Sequence, residues 1–397
     1  MSAKTVYFHV GRSTHPIYRE QLQAVPTGFA YRVAHPDLLD ATAATRLVQG
    51  SSARAARLRE LAERAALRVL GQAGHVRRAR ARVQAQDDLI HSAELLLRDA
   101  PCPYVVDFEH AECFTLYQHA ALQRPWGRRA LRRAVADSAC RSLMAWSEWA
   151  REGMLRALGP AAPRASTDKV VTVLPAIRPA VQRPRERGGG PLRVLFIGTK
   201  FYEKGGVEAA EALRRARRTH DVQLDLVSYV PQEWARRLDE EAGITVHRPG
   251  GHDVVRALYD QSDVLLFPSH MDTFGYVILE ANAHGLPVLG PAHQAIPELI
   301  ADGETGLLFG SENPLYGEDG LGRFAHVLPP PRSYMNALAH PTERYVDTIA
   351  AALARLSEDT ALHARVAAGA LERVRDGVFS IERRRERLGE VYAAALS

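Results

Sequence analysis

Apolar residues along this chain fall into short unbroken runs, separated by longer stretches where they recur every three or four positions. The runs predict strands at residues 5–10 (TVYFHV), 88–91, 104–108 (YVVDF) and 170–174 in the first half. Helical spacing fills residues 51–85, where Leu58, Leu61, Leu67, Val69 and Leu70 lie among arginines and Gly71 and Gly74 interrupt the pattern. A second basic helical stretch is predicted over 128–150. Residues 178–193 (RPAVQRPRERGGGPLR) have almost nothing to bury and read as a linker. The second half restarts with strands at 194–197 (VLFI), 224–227, 245–247, 264–267 and 287–289, with helices between them. Residues 311–344 are Pro- and Gly-rich and predict a surface insertion. Residues 380–396 predict an amphipathic helix with Ile381, Leu388, Val391 and Tyr392 on its apolar side. Strands alternating with helices indicate two α/β units with parallel sheets.

Composition narrows the class. The 397 residues are 46% hydrophobic and 24% charged, the balance of a soluble globular protein. No apolar run nears the roughly 18 residues of a membrane span, and residues 1–10 hold no signal-like core. Cys102, Cys113 and Cys140 follow no metal-ligand spacing and read as reduced thiols, so a cytoplasmic protein is expected. The net charge of +5 is almost all arginine. Lysine occurs only at positions 4, 169, 200 and 204, so two of them share one loop.

That loop runs from Gly198 through Lys200 and Lys204 to Gly206, between a predicted strand and a predicted helix. A glycine-bearing turn at a helix N-terminus brings N–H groups to an anion, and Lys204 can add a point charge. Its spacing is neither a Walker A loop nor a GxGxxG turn, and a plain turn with solvated lysines remains open. A second loop, 267–275 (FPSHMDTFG), leads into a helix carrying Glu280. The carboxylates of Asp272 and Glu280 suit sugar and ribose hydroxyls, and the amides at Phe274 and Gly275 suit a phosphate. An N-cap Asp with a solvated Glu is the plainer alternative.

Residues 286–290 (LPVLG), 295–300 (AIPELI) and 302–308 (DGETGLL) follow in order. Together, residues 192–309 resemble the retaining nucleotide-sugar glycosyltransferases of the GT-B fold, and especially glycosyltransferase family 4. The shared pattern is an acidic residue, seven positions and Glu (Asp272 and Glu280), with FG, Pro297-Glu298 and the DG-x-TG ending. The resemblance implies two Rossmann-like domains facing a cleft. Residues 1–178 would bind the acceptor, 179–192 link, 193–378 bind the donor, and helix 379–397 cross back to the first domain. It also implies roles: Lys204 on the diphosphate, Glu280 on the ribose and Asp272 on the transferred sugar. Gly198, Lys200, Phe274 and Gly275 complete the donor set, and His110, in the loop after Asp107, is the candidate over the reaction centre. His91 and His9 (with Gly11 and Arg12) are weaker counterparts. Two departures stand out. Thr199 takes the place of the family's usual Arg, and Gln294-Ala295 replaces its Gly-Gly pair.

No metal ligand set and no cofactor beyond the nucleotide-sugar is expected. UDP-sugar is the first guess for the donor and GDP-sugar the second. The acceptor would be a sugar, a lipid-linked molecule or a small molecule bearing a hydroxyl. The arginine-rich stretches 54–82 and 124–133, the latter with Trp126, suggest contact with the inner face of an anionic membrane or simply a solvated face. Rival readings are a GT-B epimerase or phosphorylase, and a basic membrane- or nucleic-acid-binding protein. The interrupted charge and lack of a known motif argue against nucleic acid.

Overall fold

A computed structural model describes residues 3–9, 17–33, 76–81, 83–84, 86–115, 119–312 and 332–397. Residues 51–75 of the predicted helical stretch 51–85, Gly11 and Arg12, and residues 313–331 of the predicted insertion lie outside them. The chain divides into two compact units.

The first unit runs through β1 (Lys4–His9), α1 (Ile17–Gln23), β2 (Phe29–Val33), β3 (Arg78–Ala79), β4 (Leu89–Ala93), β5 (Leu96–Leu97) and β6 (Tyr104–Phe108). It continues with a 3-10 turn (Ala111–Thr115), α2 (His119–Gln123), α3 (Pro125–Val135), β7 (Cys140–Ala145), α4 (Glu148–Leu158), α5 (Arg164–Thr167) and β8 (Val170–Thr172). Six strands pair in the order β2-β1-β4-β6-β7-β8, all parallel. Strands β4 and β6 are buried along their whole length, as helix-covered parallel strands must be. Two expectations fail here. Residues 128–150 form helix, strand and helix, because β7 pairs with both β6 and β8. The described part of 51–85 holds the short strand β3, not a helix.

The second unit contains β9 (Leu192–Lys200), α6 (Gly206–Ala216), β10 (Val222–Tyr229), α7 (Gln232–Asp239), β11 (Ile244–His247), α8 (His252–Gln261), β12 (Val264–Leu266) and α9 (Tyr276–Ala283). After these come β13 (Val288–Pro291), α10 (Ile296–Leu299), β14 (Gly306–Phe309), α11 (Arg332–Ala339), α12 (Glu343–Glu358) and α13 (Thr360–Arg375). Its parallel sheet has the order β11-β10-β9-β12-β13-β14. One core cluster joins Phe196, Leu224, Leu266 and Leu307 of the sheet to Leu213 of α6 and Ile349 and Leu353 of α12. The Pro/Arg/Gly-rich segment is strapped to this unit by Ala180 N donating to Ala283 O (2.8 Å) and Arg185 Nη1 to Asp260 O (2.8 Å).

The last helix, α14 (Ile381–Leu396), returns to the first unit, where Leu388, Val391 and Tyr392 bury against Val6, Leu89, Val105 and Met144. Arg384 is 3% exposed and anchors it, donating from Nη1 to Val173 O (3.1 Å) and from Nη2 to Gln21 Oε1 (2.6 Å).

Candidate functional site

In a doubly wound sheet the crevice lies at the carboxyl ends of adjacent strands whose connections leave in opposite directions. In the second unit that place is between β9 and β12, since β9 leads to β10 on one side and β12 pairs on the other. The lysine loop leaves β9 there and the Asp272 loop leaves β12.

Close packing dictates the local sequence. A Cβ on Gly198 would meet Lys204 Cβ at 2.5 Å, so the lysine stem lies across a bare backbone. Gly205 has φ +81° and caps α6, and a Cβ there would meet Pro268 O at 2.2 Å. The two loops therefore touch through backbone. Lys204 Nζ then donates to Met271 O and to Asp272 Oδ2, both at 2.7 Å, with each side chain about one-fifth exposed. His270 N donates to Glu203 O (3.0 Å), and the buried His270 ring lies 2.5 Å from Glu208 Oε1. Lys200 is elsewhere: its Nζ is exposed and pairs with Glu203 at 2.8 Å.

Phe274 is buried, and Gly275 caps α9 at φ +87°. One turn into α9, Glu280 Oε2 accepts from the Tyr259 hydroxyl at 3.2 Å. Burial, reinforced by Glu280, holds that phenol well above its usual pKa, so Tyr259 stays a donor. The loop after β13 closes the same side. His293 Nε2 donates to Ser269 O (2.8 Å), and Gln294 Oε1 accepts from Asp272 N (3.2 Å). Gln294 sits at φ +51°, a left-handed position, where the family resemblance expects glycine. The DG-x-TG ending is a structural turn. Asp302 Oδ1 accepts from Leu308 N, Thr305 Oγ1 from Ala301 N, and a Cβ on Gly306 would strike Val288 O at 2.1 Å.

Thus Gly198, Lys204, Asp272, Phe274, Gly275 and Glu280 gather on two adjacent strand ends of one unit. His110 belongs to the first unit, 7% exposed, with Nδ1 3.8 Å from Glu112 Oε2. His91 is fully buried and reached by Gln21 Nε2 (3.0 Å) and the Tyr392 hydroxyl (2.6 Å), and burial lowers its pKa. It belongs to the polar network that fixes α14. His9 is partly buried, and its pKa is likewise lowered by burial. Trp146 packs in the core at 0% exposure, and the adjacent Ser147 caps α4.

Sequence reasoning missed Glu94. It follows β4, at the first unit's own β1/β4 switch point, with φ +53°. Burial, then the like charges of Glu109 and Asp107, push its carboxyl up to about 8. Those neighbours come from another strand, so no local pattern announces the shift. Trp126 on α3 is 52% exposed, yet Arg128 and Arg132 beside it spend Nε on Leu122 O and Leu158 O. No helix among the described residues is long and apolar enough to cross a membrane.

Solved structures match the described architecture along its whole length. HepE of Anabaena, solved in complex with UDP and glucose, covers 99% of this chain and 100% of its own at TM-score 0.60 and 14% identity. A glycosyltransferase from Rickettsia africae covers 100% and 99% at TM-score 0.61 and 13% identity. The fold is GT-B. Within it, residues 191–316 match the family described as Glycosyl transferases group 1. A glycogen synthase of Mycobacterium tuberculosis is 34% identical over 136 residues, which is 32% of each chain. A D-inositol 3-phosphate glycosyltransferase of Streptomyces scabiei is 33% identical over 126 residues, 32% of this chain and 28% of its own. The chain thus aligns with about a third of the length of these relatives. The segment matched by that family contains Gly198, Lys204, Asp272, Phe274, Gly275 and Glu280.

Proposed function

We propose that the protein is a retaining glycosyltransferase of family 4 type, moving a hexosyl group from a nucleoside diphosphate sugar to a hydroxyl acceptor. The observation that carries this reading is the Lys204–Asp272 pair at the β9/β12 switch point, with Glu280 on the adjoining helix. An ammonium has three donors, and two of Lys204's are used within the protein, so one can meet a diphosphate oxygen without breaking the pair. In the reaction the bond from the anomeric carbon to the diphosphate oxygen breaks, and the acceptor oxygen bonds to that carbon. The acceptor's proton leaves with the diphosphate. Negative charge grows on the leaving group, so a pre-positioned cation and the amides at the start of α9 stabilise the transition state more than the ground state. Glu280 accepts from ribose hydroxyls and Asp272 from those of the sugar.

UDP-glucose is the first donor to test, because structural neighbours were solved with UDP, glucose and UDP-glucose. The acceptor belongs to the first unit, whose switch point carries Glu94. The test incubates the protein with UDP-, GDP-, ADP- and dTDP-sugars plus sugar, polyol and lipid-linked acceptors, and measures nucleoside diphosphate release. Acceptor-dependent release supports transfer. Donor turnover without any acceptor points to an epimerase, and phosphate-dependent cleavage of a glycoside points to a phosphorylase. Glu280→Ala abolishes turnover on this account, and a variant with wild-type rates contradicts it.

A further inference from the structure

Glu280 on α9 is coupled to a neighbour on α8: its Oε2 accepts from the Tyr259 hydroxyl at 3.2 Å. The two side chains differ in access. Tyr259 is 3% exposed, whereas Glu280 is half-buried and partly open to solvent. The phenol ring is itself held in place. It stacks on His284, with centroids 4.9 Å apart and planes 15° from parallel, and His284 Nδ1 lies 2.7 Å from Asp260 Oδ1. Arg185 Nη1 ties down the same end of α8 by donating to Asp260 O at 2.8 Å. Burial, then the charge of Glu280, raises the phenol's pKa well above its usual value, so the hydroxyl donates to the carboxylate at any working pH.

A carboxylate has about four acceptor positions, so a phenol can fix one oxygen while ligand hydroxyls still donate to the group. A Glu side chain held in one rotamer before binding spares the complex that ordering cost, and its oxygens then meet hydroxyls only at set positions. A nucleotide that lacks the hydroxyl forfeits a charge-assisted bond, and a site built for that bond rejects it. We propose that Tyr259 is a positioning residue: it aims the Glu280 carboxylate at the ribose and so makes the site select ribonucleotide over 2′-deoxyribonucleotide donors. This rests on the donor-site reading of the second unit and adds the residue that sets its choice of ribose.

Calorimetry on the full chain measures UDP and 2′-deoxy-UDP affinities for wild type, Tyr259→Phe, Glu280→Ala and the double variant. GDP and 2′-deoxy-GDP replace them if the wild type binds guanine nucleotides instead. Phe removes one oxygen and keeps the ring on His284, and a ratio of two ligands on one variant cancels any general loss of fold. Wild type should favour the ribonucleotide about tenfold, and in Tyr259→Phe that preference should fall to about threefold or less. In the Glu280→Ala background the same substitution should change neither affinity, because Tyr259 acts through that carboxylate. An unchanged preference in Tyr259→Phe, or a further loss in the Glu280→Ala background, overturns the inference and leaves the donor site standing. A wild-type chain that binds both nucleotides equally removes the ribose role of Glu280, and one that binds no nucleotide removes the donor site. Either result takes the inference with it.

Discussion

Gly205→Ala isolates the close approach on which the Lys204 and Asp272 loops depend. The backbone stands at φ +81°, and an alanine in that region costs about 1–2 kcal/mol. The new Cβ would also sit 2.2 Å from Pro268 O, against about 3.4 Å for ordinary contact, so a backbone must retreat by about 1.2 Å. Forcing such a shift into a packed site costs about 1–3 kcal/mol more, for a total of about 2–5 kcal/mol. The same displacement separates Lys204 Nζ from Met271 O and Asp272 Oδ2, now both at 2.7 Å. Misplacing a site by about 1 Å costs on the order of 100-fold in rate. Gly303→Ala is the control: φ is +73°, nothing lies within 4 Å of its Cβ, and only the backbone cost applies. Urea unfolding followed by tryptophan fluorescence, with Trp234 buried in the same unit, reads stability, and calorimetry reads UDP-glucose affinity. If the two alanine variants lose equal stability and both keep wild-type affinity, the contact has no role in shaping the site.

Two further perturbations address the first unit. Glu94→Gln removes a carboxyl whose folded pKa is raised to about 8 from an ordinary 4.5. A raised pKa means the folded state prefers the protonated form, so this stability is complete below about pH 4.5 and drains as pH rises through 8. The variant should therefore match wild type at pH 4 and exceed it by a few kcal/mol at pH 9, read as a widening melting-temperature gap. Arg384→Met strips the buried donors from Val173 O and Gln21 Oε1 and leaves Asp107, 4.0 Å from Arg384, without that cation. It should lose about 3–5 kcal/mol in urea unfolding. A loss under 1 kcal/mol would show that α14 is held by its apolar face alone.

Strands buried on both faces are legible because they read as apolar runs, and β6 (YVVDF) and the VLFI stretch of β9 show this directly. Strand β7 (CRSLMA) has no β-branched residue and reads as helix. Its conformation comes from pairing with β6 and β8, which no local window contains. The site divides in the same way. Lys204 and Asp272 stand in recognisable loops, but 68 positions of chain separate them, so only the folded sheet reveals their bond. Glycine at 198 and 205 is visible in sequence, whereas the atoms that demand it, on Lys204 and Pro268, are not. Gln294 appears in the sequence as a departure from a glycine pair. In the fold it becomes a left-handed residue whose side-chain oxygen accepts from Asp272 N.

Amide hydrogen exchange on the wild-type chain, with and without saturating UDP-glucose, tests the central claim most directly, because a ligand protects the amides it contacts and the loops it orders. The account predicts slowed exchange at residues 198–206, 268–280 and 292–298, the loops after β9, β12 and β13. Protection absent from all three while UDP-glucose is bound elsewhere would contradict it.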